Sequence, residues 1–123
     1  MVSEVFLPDL NRWAFVDGQC NFIPIQDGQP LSGLELRLAL DKNVGLASFS
    51  AVLQKDFDAY LSWIDEYLFY LSTSLDNRAF GEFTGPSLML VPVGAETLSV
   101  FQRRFPVLNT TYTHSARAFY PKP

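Results

Sequence analysis

The sequence of 123 residues predicts one α+β domain: a mostly antiparallel sheet of about five or six strands, one long helix packed across one face, and a second short helix. Three observations predict it. Phe57, Leu61, Ile64, Leu68, Leu71 and Leu75 recur at alternating steps of four and three, the spacing of one helix face. Leu34, Leu36, Leu38 and Leu40 alternate with Glu35, Arg37 and Ala39, the period of a strand with one buried and one wet face. Strand-like segments come first in the chain and helix-like segments later, which separates α from β rather than alternating them.

Residues 2–10 read as an irregular lead-in that ends at Pro8-Asp9. Residues 12–16 and 19–25 are apolar runs around Asp17-Gly18. Asp-Gly between two such runs is a strong hairpin signal, because both turn residues must tolerate positive φ. Pro24 lacks a backbone donor and places the second run at an edge or a bulge. Asp27-Gly28-Gln29-Pro30 is a loop, residues 34–40 are a strand, 41–45 a turn, and 46–51 a further strand. The long helix is expected over 54–76, with Asp56 and Asp58 at the positive end of its dipole and Asn77 as its stop. A loop over 78–87 carries Gly81, Gly85 and Pro86. A strand follows over 88–93, then a short helix over 95–104 with Arg103-Arg104 at its end, and a last strand over 110–119. From about 120 the tail is extended or frayed.

Composition narrows the function classes. A net charge of −4 opposes a nucleic-acid backbone as partner. The charge is uneven: residues 1–82 sum to −7 and residues 83–123 to +3. No apolar run approaches the length of a membrane span, and the N-terminal segment has no secretory pattern. Cys20 stands alone, so no intrachain disulfide can form, and the expectation is a cytoplasmic protein. Asn109-Thr110-Thr111 matches a glycosylation triplet, which the absence of an export signal makes irrelevant.

The reactive residue types do not assemble into a recognisable centre. Cys20 and His114 are the only thiol and imidazole and lie far apart in sequence. One Cys and one His do not make a zinc site, and Asp56-x-Asp58 is too short for a calcium loop. The carboxylates of Asp56, Asp58, Asp65 and Glu66 would need a cleft to do acid–base work. Gly81-x-x-x-Gly85 lacks the lysine of a phosphate loop. Arg103, Arg104 and Arg117 read as helix-end and surface charges. No metal, cofactor or catalytic residue is expected.

The predicted helix carries a second row, Tyr60, Trp63, Tyr67 and Tyr70, about 100° from the first. Its apolar surface is wider than docking on a sheet requires. Phe69 sits among Asp58, Asp65 and Glu66 on the polar arc, an apolar anchor in an acidic rim. The function expected is therefore a small non-enzymatic protein–protein interaction module, an assembly adaptor or chaperone or an immunity-type inhibitor. Trp63, Tyr67, Phe69 and Tyr70 would be contacts and Asp58, Asp65 and Glu66 rim charges toward a partner with a basic surface. The alternative is a small-molecule-binding domain or minor enzyme with an aromatic pocket between sheet and helix, using Tyr112, Tyr120 or His114. A homo-oligomer that buries the aromatic row against itself is a third possibility.

Overall fold

The structure, a computed structural model, describes residues 2–49, 53–68, 71–75, 86–93 and 109–121. It divides into two units, Met1–Leu68 and Phe69–Pro121. The class is α+β, but among the described residues the strands form three small sheets rather than one sheet of five or six.

In the first unit, β1 (Ser3–Leu7) runs antiparallel to β2 (Arg12–Val16), with Ser3 opposite Val16 and Leu7 opposite Arg12. The segment expected to be an irregular lead-in is thus the partner of β2. Its Glu-Val-Phe run favours extended chain, and Pro8 ends it by opening a 3-10 turn, Pro8–Leu10, where its missing N–H is not needed. Asn11 closes that turn in the left-handed region, φ 49°.

The hairpin expected at Asp17-Gly18 shrinks to a single bridge. Asp17 and Phe22 exchange both backbone hydrogen bonds, at 2.9 and 3.0 Å, around a four-residue turn in which Asn21 rather than Gly18 takes positive φ, 58°. The tight hairpin forms at the other Asp-Gly pair. β3 (Pro24–Gln26) and β4 (Gln29–Pro30) flank Asp27 and Gly28, whose φ values of 51° and 75° are those of a type I′ turn. β5 (Ala47–Ser48) pairs on the other side of β3, within the span expected for a strand. Pro24 opens this central strand, a position that needs no donor.

The largest correction is residues 34–40, expected as a strand and found in α1 (Gly33–Asp41). Leu, Glu, Arg and Ala are strong helix formers, and the run holds no β-branched or aromatic residue. Ser32 caps it: its Oγ accepts from the Glu35 N–H at 3.3 Å, while a Glu35 carboxylate oxygen accepts from the Ser32 N–H at 2.8 Å. A Glu4 oxygen from β1 accepts from the Gly33 N–H at 2.6 Å, a second carboxylate at the positive helix end. The four leucines therefore do not share a face. Leu36 is buried with Ala39, three residues on, whereas Leu38 is exposed.

The long helix is also shorter than expected. α2 (Gln54–Ile64) passes into a 3-10 turn, Asp65–Tyr67, and at Leu68 the chain is extended, with ψ 142°. Beyond it the aromatic and hydroxyl-rich run 69–74 favours strand over helix, and residues 72–74 are one. Phe57, Tyr60, Leu61, Ile64 and Leu68 still line one stripe. They pack with Phe15, Phe22, Leu31, Leu36 and Ala39 into the core of the first unit. Leu75, expected to continue the row, is exposed.

In the second unit, β6 (Ser72–Ser74), β7 (Ser87–Leu90) and β8 (Thr110–Thr113) form a sheet in that order. β6 and β7 are antiparallel and β7 and β8 parallel. A parallel pair requires a crossover of a dozen or more residues, and residues 91–109 supply the length. The helix expected over 95–104, with Arg103 and Arg104, falls in that stretch and outside the described residues, and Asn77, Gly81 and Gly85, which precede β7, are also outside them. The strand expected over 110–119 stops at Thr113. Ser115 then caps α3 (Ala116–Phe119), its Oγ accepting from the Ala118 N–H at 3.2 Å. Among the described residues of this unit, Met89, Leu90, Val91 and Phe119 are buried.

These local conformations can be tested by substitution. Gly28→Ala forces a β-carbon into the left-handed region and costs about 1–2 kcal/mol. Gly18→Ala is close to neutral, because nothing lies near its added β-carbon and its φ is not left-handed. Urea denaturation of both variants checks this, and the reverse ranking would return the hairpin to Asp17-Gly18. Ser32→Ala removes one arm of the capping box and lowers stability by about 1 kcal/mol, whereas Ser32→Gly costs only a few tenths. Equal losses for the two would mean that the cap does not hold α1.

Candidate functional site

Four aromatic side chains of α2 and its 3-10 extension climb from core to surface. Phe57 is fully buried and Tyr60 is 6% exposed, but Trp63 is 54% exposed. The rings are in contact throughout: Phe22 to Tyr60 at 4.4 Å between centroids, Tyr60 to Trp63 at 6.0 Å, and Trp63 to Tyr67 at 5.3 Å. Spacings of three and four put them on one side of the helix. Tyr67 is half-buried and packs against the core.

Beside Trp63 and Tyr67 lies a groove of about 500 Å³, also bounded by Val2, Asp17, Gln19, Cys20 and Ile64. Its second wall is the turn after β2, and that turn has a specific fastener. Asp17 is 3% exposed, and its carboxylate accepts from two backbone N–H groups and a hydroxyl, with the Cys20 thiol as a further neighbouring donor. One oxygen takes the backbone N–H groups of Gln19 and Cys20, at 3.0 and 3.1 Å. The other takes the Tyr60 hydroxyl at 3.0 Å. The first pair closes an Asx-type turn, and the third ties that turn to α2.

Opposing effects set the charge of Asp17. Desolvation by itself would raise its pKa, but the hydrogen bonds from Cys20, Tyr60 and Gln19 outweigh it, and the carboxyl titrates below its usual value. Tyr60 is shifted upward by burial first and by its bond to Asp17 second, so it remains a neutral donor. Cys20 is exposed, yet partial desolvation and the neighbouring Asp17 charge raise its thiol pKa as well. A thiol held protonated is a poor nucleophile. His114 lies in the second unit, with Nδ1 3.2 Å from the Val91 carbonyl oxygen. Among the described residues no group of three or more His, Cys, Asp or Glu is placed to hold a metal.

The other residues expected at a binding surface have different surroundings. Asp65 is engaged by Arg37, whose Nη1 lies 2.7 Å from it and 2.8 Å from Asp41. Asp58 accepts from Gln54 at 2.9 Å and faces a separate hollow with Leu46 and Leu61. At about 100° per residue, both lie on the flank of α2 away from Trp63. Asp56, seven residues before Trp63, shares the Trp63 side and is exposed. Glu66 belongs to the 3-10 turn, but its side chain is outside the described set, and Phe69 and Tyr70 are outside the described residues altogether. Of the seven expected contacts, the structure therefore brings Trp63 and Tyr67 together. It adds Asp17, Gln19 and Cys20, which sequence reasoning did not join to them. The available signal was Asp17 opening Asp-Gly-Gln-Cys-Asn, a side chain able to close its own turn.

The Asp17–Tyr60 bond predicts a pH-dependent stability. Because the folded-state pKa of Asp17 is depressed, its contribution is complete above the unfolded value near 4 and is lost as pH falls through the folded value. Tyr60→Phe removes a donor to a buried charge and costs about 1.5–3 kcal/mol at pH 7. Denaturation series at pH 7 and pH 2 should show that cost shrinking in acid, and a cost independent of pH would mean that Asp17 is not the ionised acceptor. Comparison of the chain with protein-family models, with curated proteins and with solved structures returns no match.

Proposed function

We infer that this protein is a non-enzymatic interaction module whose first unit binds another protein through Trp63, Tyr67 and the groove beside them. One observation carries the reading: a tryptophan, more than half exposed, is stacked on neighbouring aromatic rings at the mouth of a largely apolar groove. Exposed tryptophan and tyrosine on a preorganised support lose little conformational entropy on contact and are enriched where proteins bind most tightly. Residues 1–68 hold ten acidic and four basic side chains, and Asp56 shares the Trp63 side of α2. This charge favours a basic partner and speeds its approach. Whether the module acts as an adaptor, an assembly chaperone or an inhibitor depends on that partner.

The groove volume also falls within the range of small-molecule sites, which makes a metabolite the second reading.

The test is capture from source lysate with three baits: the wild type, Trp63→Ala, and Leu38→Ala as a control for loss of an exposed apolar side chain elsewhere. The wild type and Leu38→Ala should retain the same partner. Trp63→Ala should lose at least tenfold in affinity, as expected for a contact worth more than about 1.4 kcal/mol. A partner retained equally by Trp63→Ala would refute the site. A metabolite that raises the melting temperature, with no protein captured, would favour the second reading.

A further inference from the structure

We propose that the outer edge of β6, in the second unit, is a self-association surface, to which a second copy of this chain adds its own β6 antiparallel about a two-fold axis at Thr73. This surface is independent of the docking reading of the first unit and goes beyond it.

The edge is open. Among the described residues β6 is the outermost strand of the order β6-β7-β8. The Leu71 carbonyl accepts from the Leu90 N–H at 3.0 Å, and the Leu75 N–H donates to the Pro86 carbonyl at 2.9 Å. Bonded pairs alternate along an antiparallel ladder, so Thr73 also bonds inward, to Leu88. Ser72 and Ser74 therefore turn their N–H and C=O groups away from β7. Ser72 and Thr73 are exposed, and Leu75 is 56% exposed. Ser72 takes part in no hydrogen bond among the described residues.

The edge is also unguarded. A row of outward N–H and C=O groups is a template for another strand, and proteins block it with a charge, a proline or a bulge. Residues 71–75 hold no charge and no proline, and the register to β7 runs unbroken from Ser72 to Ser74.

The order of side chains selects a second copy as the occupant. Leu71-Ser72-Thr73-Ser74-Leu75 reads the same in both directions. Antiparallel pairing about Thr73 sets Ser72 opposite Ser74 of the second copy, and Ser74 opposite its Ser72, each pair exchanging both backbone hydrogen bonds. Thr73 then faces Thr73, and Leu71 faces Leu75, at the close spacing where side chains touch. Leu71, Thr73 and Leu75 share one face of the strand, so the copies build a continuous stripe with leucines flanking the threonines. A slip by one residue would point the serine groups at positions already bonded to β7. A slip by two would leave one serine pair bonded instead of two. The contact is isologous and closes at the dimer. So short a strand covers less area than a permanent dimer requires, and the pair forms and parts with concentration.

The test is sedimentation velocity of the full chain from about 10 μM to about 1 mM, with amide hydrogen exchange followed by NMR at both ends of that range. The wild type should pass from monomer to dimer. The Ser72 and Ser74 amides should exchange several-fold more slowly at the higher concentration, and the Thr73 amide, already bonded inward, should change little. Thr73→Lys and Thr73→Glu each place like charges face to face on the axis and should stay monomeric throughout. Thr73 is exposed, so both variants keep the fold, which their amide spectra check. An equimolar mixture of the two places opposite charges face to face and should restore a dimer. Trp63→Ala should dimerise like the wild type. A wild type that stays monomeric to the highest concentration overturns the proposal. So does a dimer that survives Thr73→Lys, or one lost on Trp63→Ala, because either would place self-association on another surface. A mixture that fails to pair would show that residue 73 does not face itself and would overturn the two-fold arrangement.

Discussion

One hydrogen bond organises the exposed face of the first unit: the Tyr60 hydroxyl to the Asp17 carboxylate. Asp17 sits where β2 ends and the chain turns back, and Tyr60 sits in the middle of α2, 43 positions away. The bond fixes the turn that follows β2 against the helix. It is also one of the hydrogen bonds that together hold the Asp17 pKa below its ordinary value against desolvation. Tyr60 meets two needs at once. Its ring lies 4.4 Å from Phe22 in the core, and its oxygen reaches the polar turn.

The groove follows from that constraint. A turn fastened to a helix by one polar contact leaves a concave strip beside it, and here the strip is floored by Ile64 and walled by Trp63 and Tyr67. The aromatic stack makes the wall stiff, because each ring is braced by the one beneath it down to the fully buried Phe57. The same stack that stabilises the core therefore prepares the surface. A residue cannot be assigned wholly to stability or wholly to recognition when its neighbour one turn away does the other job.

Much of this is readable in the amino-acid order, and the misreadings have physical causes. The stripe Phe57, Tyr60, Leu61 and Ile64 is plain, because helical spacing over three turns has few rivals. The end of that helix is not. Apolar residues at steps of three and four continue to Leu75, yet the aromatic and hydroxyl content of 69–74 weighs against helix. At 34–40 the alternation of leucines masks the Ser32-Gly-Leu-Glu35 capping box, although the box is in plain view. Two Asp-Gly pairs compete for one hairpin. The pair at Asp27 and Gly28 wins, because at the other pair the Asp17 side chain closes a wider turn. Helical spacing alone places Trp63 and Tyr67 in one row. It does not identify Asp17, whose role depends on a partner 43 residues away that only the fold brings near.

Turn and groove both require Asp17 to be an ionised, covered carboxylate held by hydrogen bonds. Its carboxyl carbon can be labelled and followed by NMR through an acid titration of the intact protein. The expected midpoint lies below the ordinary aspartate value, with the Gln19 and Cys20 amides and the Tyr60 ring reporting the same transition. A midpoint at or above the ordinary value, or one that those three groups do not sense, would show that no such charge is held there.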